Sequence, residues 1–406
     1  VSQKPNFLRK VERGDLCAGC GGCALVSDQK ITMETVAPGY LRPRVKAPLS
    51  AKEDARIARF CPGLGQSVAA QGRTDDVLWG PYEEMCEGWA TDPALRHTGS
   101  SGAALSAILV SVLDSGLVDG VVQTAADPDR PTANRAVIST TRAEVLAAAG
   151  SRYAPSAPLA DLGPCLESGK RYAFVGKPCD VAALRALARQ DARIEATFVL
   201  MVSFFCAGVP SLAGADAVLK ALGAAPEEVQ AFRYRGNGWP GQATATLQDG
   251  QTRSMSYHDS WGGILSKHVQ HRCKICADGT GKDADIVCAD AWHADEKGYP
   301  LFTEDEGISL IVARTALGAA QIAQAETAGL LETRPFDRSR LEAMQPGQSG
   351  RRKALLARLI GLRLMGQPIP QYKGLHLRAA ARRNSPKVLL RNMLGTMRRV
   401  VRPKRG

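Results

Sequence analysis

The sequence predicts an α/β fold: a small N-terminal region organised around cysteines, mixed α/β domains behind it, and a basic helical tail. Three observations carry this prediction. Strand-like and helix-like segments alternate from about Trp89, residues 1 to about 80 are rich in Gly, Pro and Cys with weak periodicity, and residues 351–406 hold 16 Lys plus Arg without one Asp or Glu. A chain of 406 residues also exceeds the roughly 250–300 at which a single core stops growing. The expected divisions are 1–80, 81–165, 166–340 and 341–406.

In the first α/β segment, "TGSSGAALSAILVSVLDSGL" reads as a Gly/Ser loop opening a helix, because Leu105, Ile108, Leu109 and Val112 recur at helical spacing. "VDGVVQTA" follows as a strand. "TRAEVLAAAG" reads as a helix with Thr141 at its N-cap, Glu144 completing a capping box and Gly150 closing it. In the second segment, "RYAFVG" is a short buried strand leading into the loop "GKPCD", then "VAALRALARQ" is a helix and "ATFVLMVSFFCAG" another buried strand. Cys179 and Cys206 thus fall just past strand ends, at the sheet edge where open α/β folds bind ligands. "ISLIVART" adds a strand and "ALGAAQIAQAETAGL" a helix. The most apolar stretch, residues 102–122, carries Asp114 and Asp119, so it reads as buried helix and strand rather than a membrane span. "VSQKPNFLRKVERGD" lacks the apolar run of a secretory signal, and a cytoplasmic protein is expected.

Eleven cysteines in a reducing compartment point to metal or redox chemistry rather than disulfides. Cys17, Cys20 and Cys23 form CxxCxxC, and Cys61 precedes proline in "RFCPG". Three compact cysteines plus a remote fourth make the ferredoxin-like pattern of a 4Fe4S cluster, because a cubane needs four thiolates converging from a tight loop. The intervening glycines let the backbone wrap and aim amides at the sulfurs. A four-cysteine zinc site is the competing reading, although zinc more often takes two separated CxxC pairs. Cys273 and Cys276, in "HRCKICADGTGKDADIVCADAW", supply only a pair, for which Cys179 and Cys206 are candidate completions. On spacing alone a thioredoxin-like motif or zinc knuckle stays open there. Cys86, Cys165 and Cys288 lack partners at useful spacing and read as ordinary thiols.

"HTGSSGAAL" either holds a phosphate on backbone amides or simply caps a helix. "FRYRGNGWPG", with Arg233, Arg235 and Trp239, reads equally as a binding loop for an anionic or planar ligand and as a turn locked by tryptophan packing. The six histidines form no ligand pattern. Net charge is +12, and removing the tail's 16 cations leaves the body at 12 − 16, about −4. The tail admits three readings: a solvated arm, a docking surface for an acidic redox partner, or contact with an anionic membrane surface. No nucleic-acid recognition fold accompanies the charge, so no nucleic acid partner is expected.

The motifs "TGSSG", "GSRYAPS", "GKPCDVAALR", "SFFCAG", "CKICADGTGKDADIV" and "GISLIVART", in this order over roughly Trp89 to Thr315, resemble the coenzyme F-420 hydrogenase/dehydrogenase beta subunit family. That family includes 7-hydroxymethyl chlorophyll a reductase and a divinyl chlorophyllide 8-vinyl reductase. The resemblance implies flavin-binding α/β domains carrying FAD, with one or two 4Fe4S clusters. It implies that Cys179, Cys206, Cys273 and Cys276 hold a cluster beside the flavin. It further implies flavin contacts at Thr98, Ser100, Ser101, Gly102, Ser151, Arg152, Tyr153 and Asp290. Two departures stand out: "ADAW" at Ala289–Trp292 where members commonly read "GDAW", and Ala103 in place of a second glycine. Both are small-residue changes, expected to keep the flavin site and to shift the neighbouring substrate pocket. The implied activity takes electrons from ferredoxin or another one-electron redox protein, through two 4Fe4S clusters and FAD, to a small two-electron acceptor. Coenzyme F-420, a tetrapyrrole and a sugar-linked substrate are the implied acceptor classes. The alternative is a non-catalytic electron-transfer subunit of a larger hydrogenase or dehydrogenase complex, and a homo-oligomer is open as well.

Overall fold

The computed structural model describes residues 4–293, 301, 304 and 306–401. An eight-stranded sheet forms its centre, in the order Leu331–Pro335, Glu84–Ala90, Ser309–Ala313, Ile286–Asp290, Phe198–Phe204, Tyr172–Val175, Gly120–Ala126, Asn134–Ser139. The four strands from Ile286–Asp290 to Gly120–Ala126 run parallel. Antiparallel strands flank them on both sides. Strands from before and after residue 165 therefore share one sheet.

Period-two alternation sends Phe174, Met201, Val287 and Leu310 to one face and Ala173, Leu200, Ile286 and Ile311 to the other, all fully buried. Helix Pro178–Ala188 covers the first face with Val181, Leu184 and Leu187. Helices Ala103–Asp114 and Ala316–Thr327 cover the second with Ile108, Val112 and Ile322. Each such aliphatic side chain contributes roughly 1.5–3 kcal/mol on full burial. Both capping boxes in the chain's early helices are sequence-encoded: Thr141 with Glu144, as predicted, and Ser50 with Glu53 at the helix Ala51–Phe60.

Four local readings change. "TGSSG" is not a free loop, because Asp92 caps and Pro93 starts a helix over Pro93–Gly99, followed by a 3-10 turn at Ser100–Gly102. Pro178 likewise starts its helix early, so Cys179 sits in a first helical turn rather than in a loop. The N-terminal region is packed on apolar side chains and not only on cysteines: Phe7, Leu8, Leu16, Ile57 and Phe60 are buried in the same cluster as Leu184 and Leu310. The tail is no solvated arm. Helix Pro346–Leu364 buries Leu355, Leu359 and Leu362, and the strand Gln371–Lys373 pairs in parallel with Gly65–Ser67. Its cations are used inward as well: Arg352 donates to the carbonyls of Ala277, Val77 and Leu375. Among the described residues no helix is long and apolar enough to cross a membrane.

Candidate functional site

Cys17, Cys20 and Cys23 lie along one loop that runs into the short helix Gly22–Leu25, and Cys61 caps the helix Ala51–Phe60. The structure brings these four together, since Cys20 interacts electrostatically with Cys61 and Cys23, and Cys23 with Cys17 and Cys61. Backbone amides of Gly19, Gly22 and Gly63 point at the sulfurs of Cys17, Cys20 and Cys61. Gly21 is required here: its φ is +87°, and a Cβ would lie 2.7 Å from the amide nitrogen of Ala160.

A second quartet assembles from distant elements. Cys179 lies in the first turn of the helix Pro178–Ala188, Cys206 follows the strand Phe198–Phe204, and Cys273 and Cys276 come from the short helix His271–Lys274 and its exit. Cys179 interacts with Cys206 and Cys273, and Cys206 with Cys273 and Cys276. Val209 N and Gln270 Nε2 donate to Cys273 Sγ at 3.4 and 3.5 Å. Among the described residues no three His, Cys, Asp or Glu side chains close on a point that would hold a single metal ion.

Burial pushes the thiols of Cys17, Cys20, Cys23, Cys179 and Cys273 up, that of Cys61 to about 11 and that of Cys206 to about 12. Thiols raised by burial are poor free nucleophiles.

Two buried groups that the sequence reading passed over connect the quartets. Arg272 donates to Pro62 O at 2.7 Å, and its charge acts on Cys17 and Cys61 of one quartet and on Cys273 of the other. Gln270 donates both to Ala18 O and to Cys273 Sγ. Lys177 pairs with Asp180 at 2.7 Å and donates to Ser156 Oγ at 2.6 Å, and the Asp180 charge acts on Cys20 of the first quartet as well as on Cys179. The Lys177 charge also acts on Cys179.

Lys177 and Cys206 also line a cavity of about 280 Å³ at the carboxyl edge of the parallel strands. Of the implied flavin positions, Ser101, Gly102, Ser151, Arg152, Tyr153 and Asp290 line it. Thr98 lies outside, exposed, its carbonyl accepting from Arg233 Nη1 and Asn237 N. Ser100 is buried behind the lining at φ +55°, and its Oγ has no hydrogen-bond partner. A buried hydroxyl without a partner in a strained residue is a mark of a ligand site.

Arg152 faces the cavity but spends its guanidinium on the carbonyls of Phe232, Pro131 and Ala133 and on Asn134 Oδ1, so it fixes the loop. Asp290 is the hub. It accepts from Ser101 Oγ, from Arg235 Nη1 at 2.8 Å and from Trp239 Nε1 at 3.0 Å. Burial would raise its carboxyl, yet the Arg235 charge and these three donors hold it below the usual range. Arg235 itself lies 4.9 Å from the centroids of both the Tyr257 and Trp292 rings, which are 6.2 Å apart, and Trp292 stacks on Trp239 at 4.8 Å. The loop "FRYRGNGWPG" thus resolves as a turn locked by tryptophan packing that also supplies Arg235 to the cavity wall. Ala289 and Cys288 line the wall too, while Cys86 and Cys165 do not.

Grouped thiols beside a ligand cavity make electron movement the natural use of this edge, and the class defined is an α/β oxidoreductase with an electron-transfer role. The chain belongs to the coenzyme F420 hydrogenase/dehydrogenase beta subunit family: the family's N-terminal profile matches residues 85–162 and its C-terminal profile residues 169–339. Among its relatives is the coenzyme F420 hydrogenase subunit beta of Methanococcus voltae, 27% identical over 301 residues, covering 72% of this chain and 99% of that one. Another is the chloroplastic 7-hydroxymethyl chlorophyll a reductase of Oryza sativa subsp. japonica, 27% identical over 264 residues, covering 64% of this chain and 53% of the rice protein. A chain of the F420-reducing NiFe hydrogenase complex from Methanosarcina barkeri shares the fold, with TM-score 0.55, 20% identity, and coverage of 71% of this chain and 97% of that one.

Proposed function

We propose that this chain is an FAD- and iron-sulfur-dependent oxidoreductase that takes electrons from a one-electron donor such as ferredoxin and delivers them in pairs to a small organic acceptor. The observation that carries the reading is the continuity from one quartet, past Arg272, to the second quartet, whose Cys206 borders the cavity. Cys17, Cys20, Cys23 and Cys61 would hold an outer 4Fe4S cluster, and Cys179, Cys206, Cys273 and Cys276 an inner one. The aromatic wall of Tyr153, Tyr257, Trp261 and Trp292 and the Asp290 hub fit a planar, polar-edged group such as FAD. When bound, the clusters supply single-electron steps and the flavin converts singles to pairs. The chain's own part is to gather the thiols, to place Lys177 and Arg272 as fixed positive charges beside them, and to hold the cavity wall through Asp290. Coenzyme F420 and a tetrapyrrole are the acceptor classes that the relatives' names suggest.

Anaerobically purified protein should be brown, with about eight iron atoms and one FAD per chain. A colourless zinc protein without flavin would sink the reading. A second reading is favoured by the near-complete coverage of a hydrogenase-complex chain: a beta subunit that relays electrons within a larger assembly. A stable complex with a partner, and turnover only within it, would select that reading over the first.

A further inference from the structure

The described residues expose five large aliphatic side chains on the two long tail helices: Ile360 (43%) and Leu364 (64%) on Pro346–Leu364, and Leu390 (52%), Leu394 (51%) and Val401 (71%) on Pro386–Val401. The second helix packs inward through Met393, over Gly361, and through the buried Thr396. At 3.6 residues per turn Leu390, Leu394 and Val401 fall within about 40° of one another on the outward side. Lys387, Arg391 and Arg398 form an equally narrow exposed stripe directly beside them. The last 56 residues carry no acidic side chain to offset this charge.

We infer that this helix pair is a docking surface for an anionic lipid bilayer, which it meets in the plane of the interface. The argument is one of complementarity. An aliphatic stripe bordered by cations and free of acids matches acyl chains beneath negatively charged headgroups. Protein-binding patches are enriched in aromatic residues and Met as well as Arg; this one has the cations, but its exposed apolar residues are only Leu, Ile and Val. Contact by this face would also fix the chain's orientation, because helix Pro346–Leu364 grips the inner quartet's backbone: Gln348 donates to Cys206 O at 3.0 Å and Arg351 to Ala207 O at 2.7 Å. The inference stands on the surface alone and does not depend on the cofactor reading.

The test is flotation of the full chain with phosphatidylcholine vesicles, with and without phosphatidylglycerol. The wild type should float with the phosphatidylglycerol vesicles only. Binding should fall by at least about tenfold in Leu390→Ser/Leu394→Ser, as expected for two leucines no longer buried, and comparably in Arg391→Gln/Arg398→Gln, with unchanged circular dichroism. Failure of the wild type to float with anionic vesicles would overturn the inference, whatever the variants do. So would full binding by the leucine variant, which would reduce the effect to charge alone. Capture of an acidic ferredoxin by the same residues, without vesicle binding, would assign the surface to a protein instead.

Discussion

Three members of the outer quartet lie on one short loop, Cys17 to Cys23, whereas the inner quartet draws Cys179, Cys206, Cys273 and Cys276 from three separate elements around the sheet edge. The matched family profiles, residues 85–162 and 169–339, contain the inner four and none of the outer four. The contrast separates a local device from a global one. A loop with glycines can gather thiols by itself, and it attaches to the body through a shared apolar core. The inner four exist as a group only if strand, helix and turn are all in place, and one of the four, Cys206, also lines the cavity.

Substitutions that strike one quartet and spare the other give this contrast its sharpest tests. The largest effect is expected for Cys273→Ser, which should remove the inner iron, about half the total, and reduce donor-driven turnover to background, measured by iron analysis and steady-state assay. Equal iron loss from both quartets would contradict their independence. Asp290→Asn comes next. It leaves Arg235 buried against two aromatic rings without its counter-ion, a change that costs about 3–5 kcal/mol, read as a lower unfolding midpoint with weaker flavin retention. Because the carboxyl is held below its ordinary value of about 3.9, its contribution is present above that pH and is lost only as pH falls further, which tryptophan fluorescence can follow.

Charge substitutions divide the quartets more finely. Lys177→Met should lower the reduction potential of the inner centre more than that of the outer one, which it reaches only through its partner Asp180, and Arg272→Gln should lower both. Removing one nearby positive charge disfavours an added electron by on the order of 1 kcal/mol, roughly 40 mV. Redox titration followed by electron paramagnetic resonance resolves the two, and an unshifted outer centre in Arg272→Gln would deny Arg272 its bridging place. The smallest effect is expected for Ser50→Ala, which opens the capping box of the helix ending at Cys61. About 1 kcal/mol of stability should be lost, with the inner centre untouched.

The outer quartet was legible in the chain because its geometry is local, and CxxCxxC already states the spacing. The inner quartet was legible only as a pair plus two strand-end candidates, until sheet order brought those ends together. Strand patterns were clear for the same reason: buried parallel strands such as "RYAFVG" are continuous apolar runs. What the sequence hid is long-range polar partnership. Nothing near Arg272 in the chain announces Pro62 O as its acceptor. Asp290 follows from family resemblance, but its donors converge from two regions, Ser101 from the 3-10 turn and Arg235 and Trp239 from the loop "FRYRGNGWPG". The tail misled because its cations suggested solvent, whereas its leucines and Arg352 are built into the body.

The central claim is a relay in which the outer quartet receives electrons for a site that lies beyond the inner one. Cys20→Ser tests it most directly. Purified anaerobically, this variant should keep about four irons and its FAD while losing ferredoxin-driven turnover. Full ferredoxin-dependent turnover in Cys20→Ser would contradict the account.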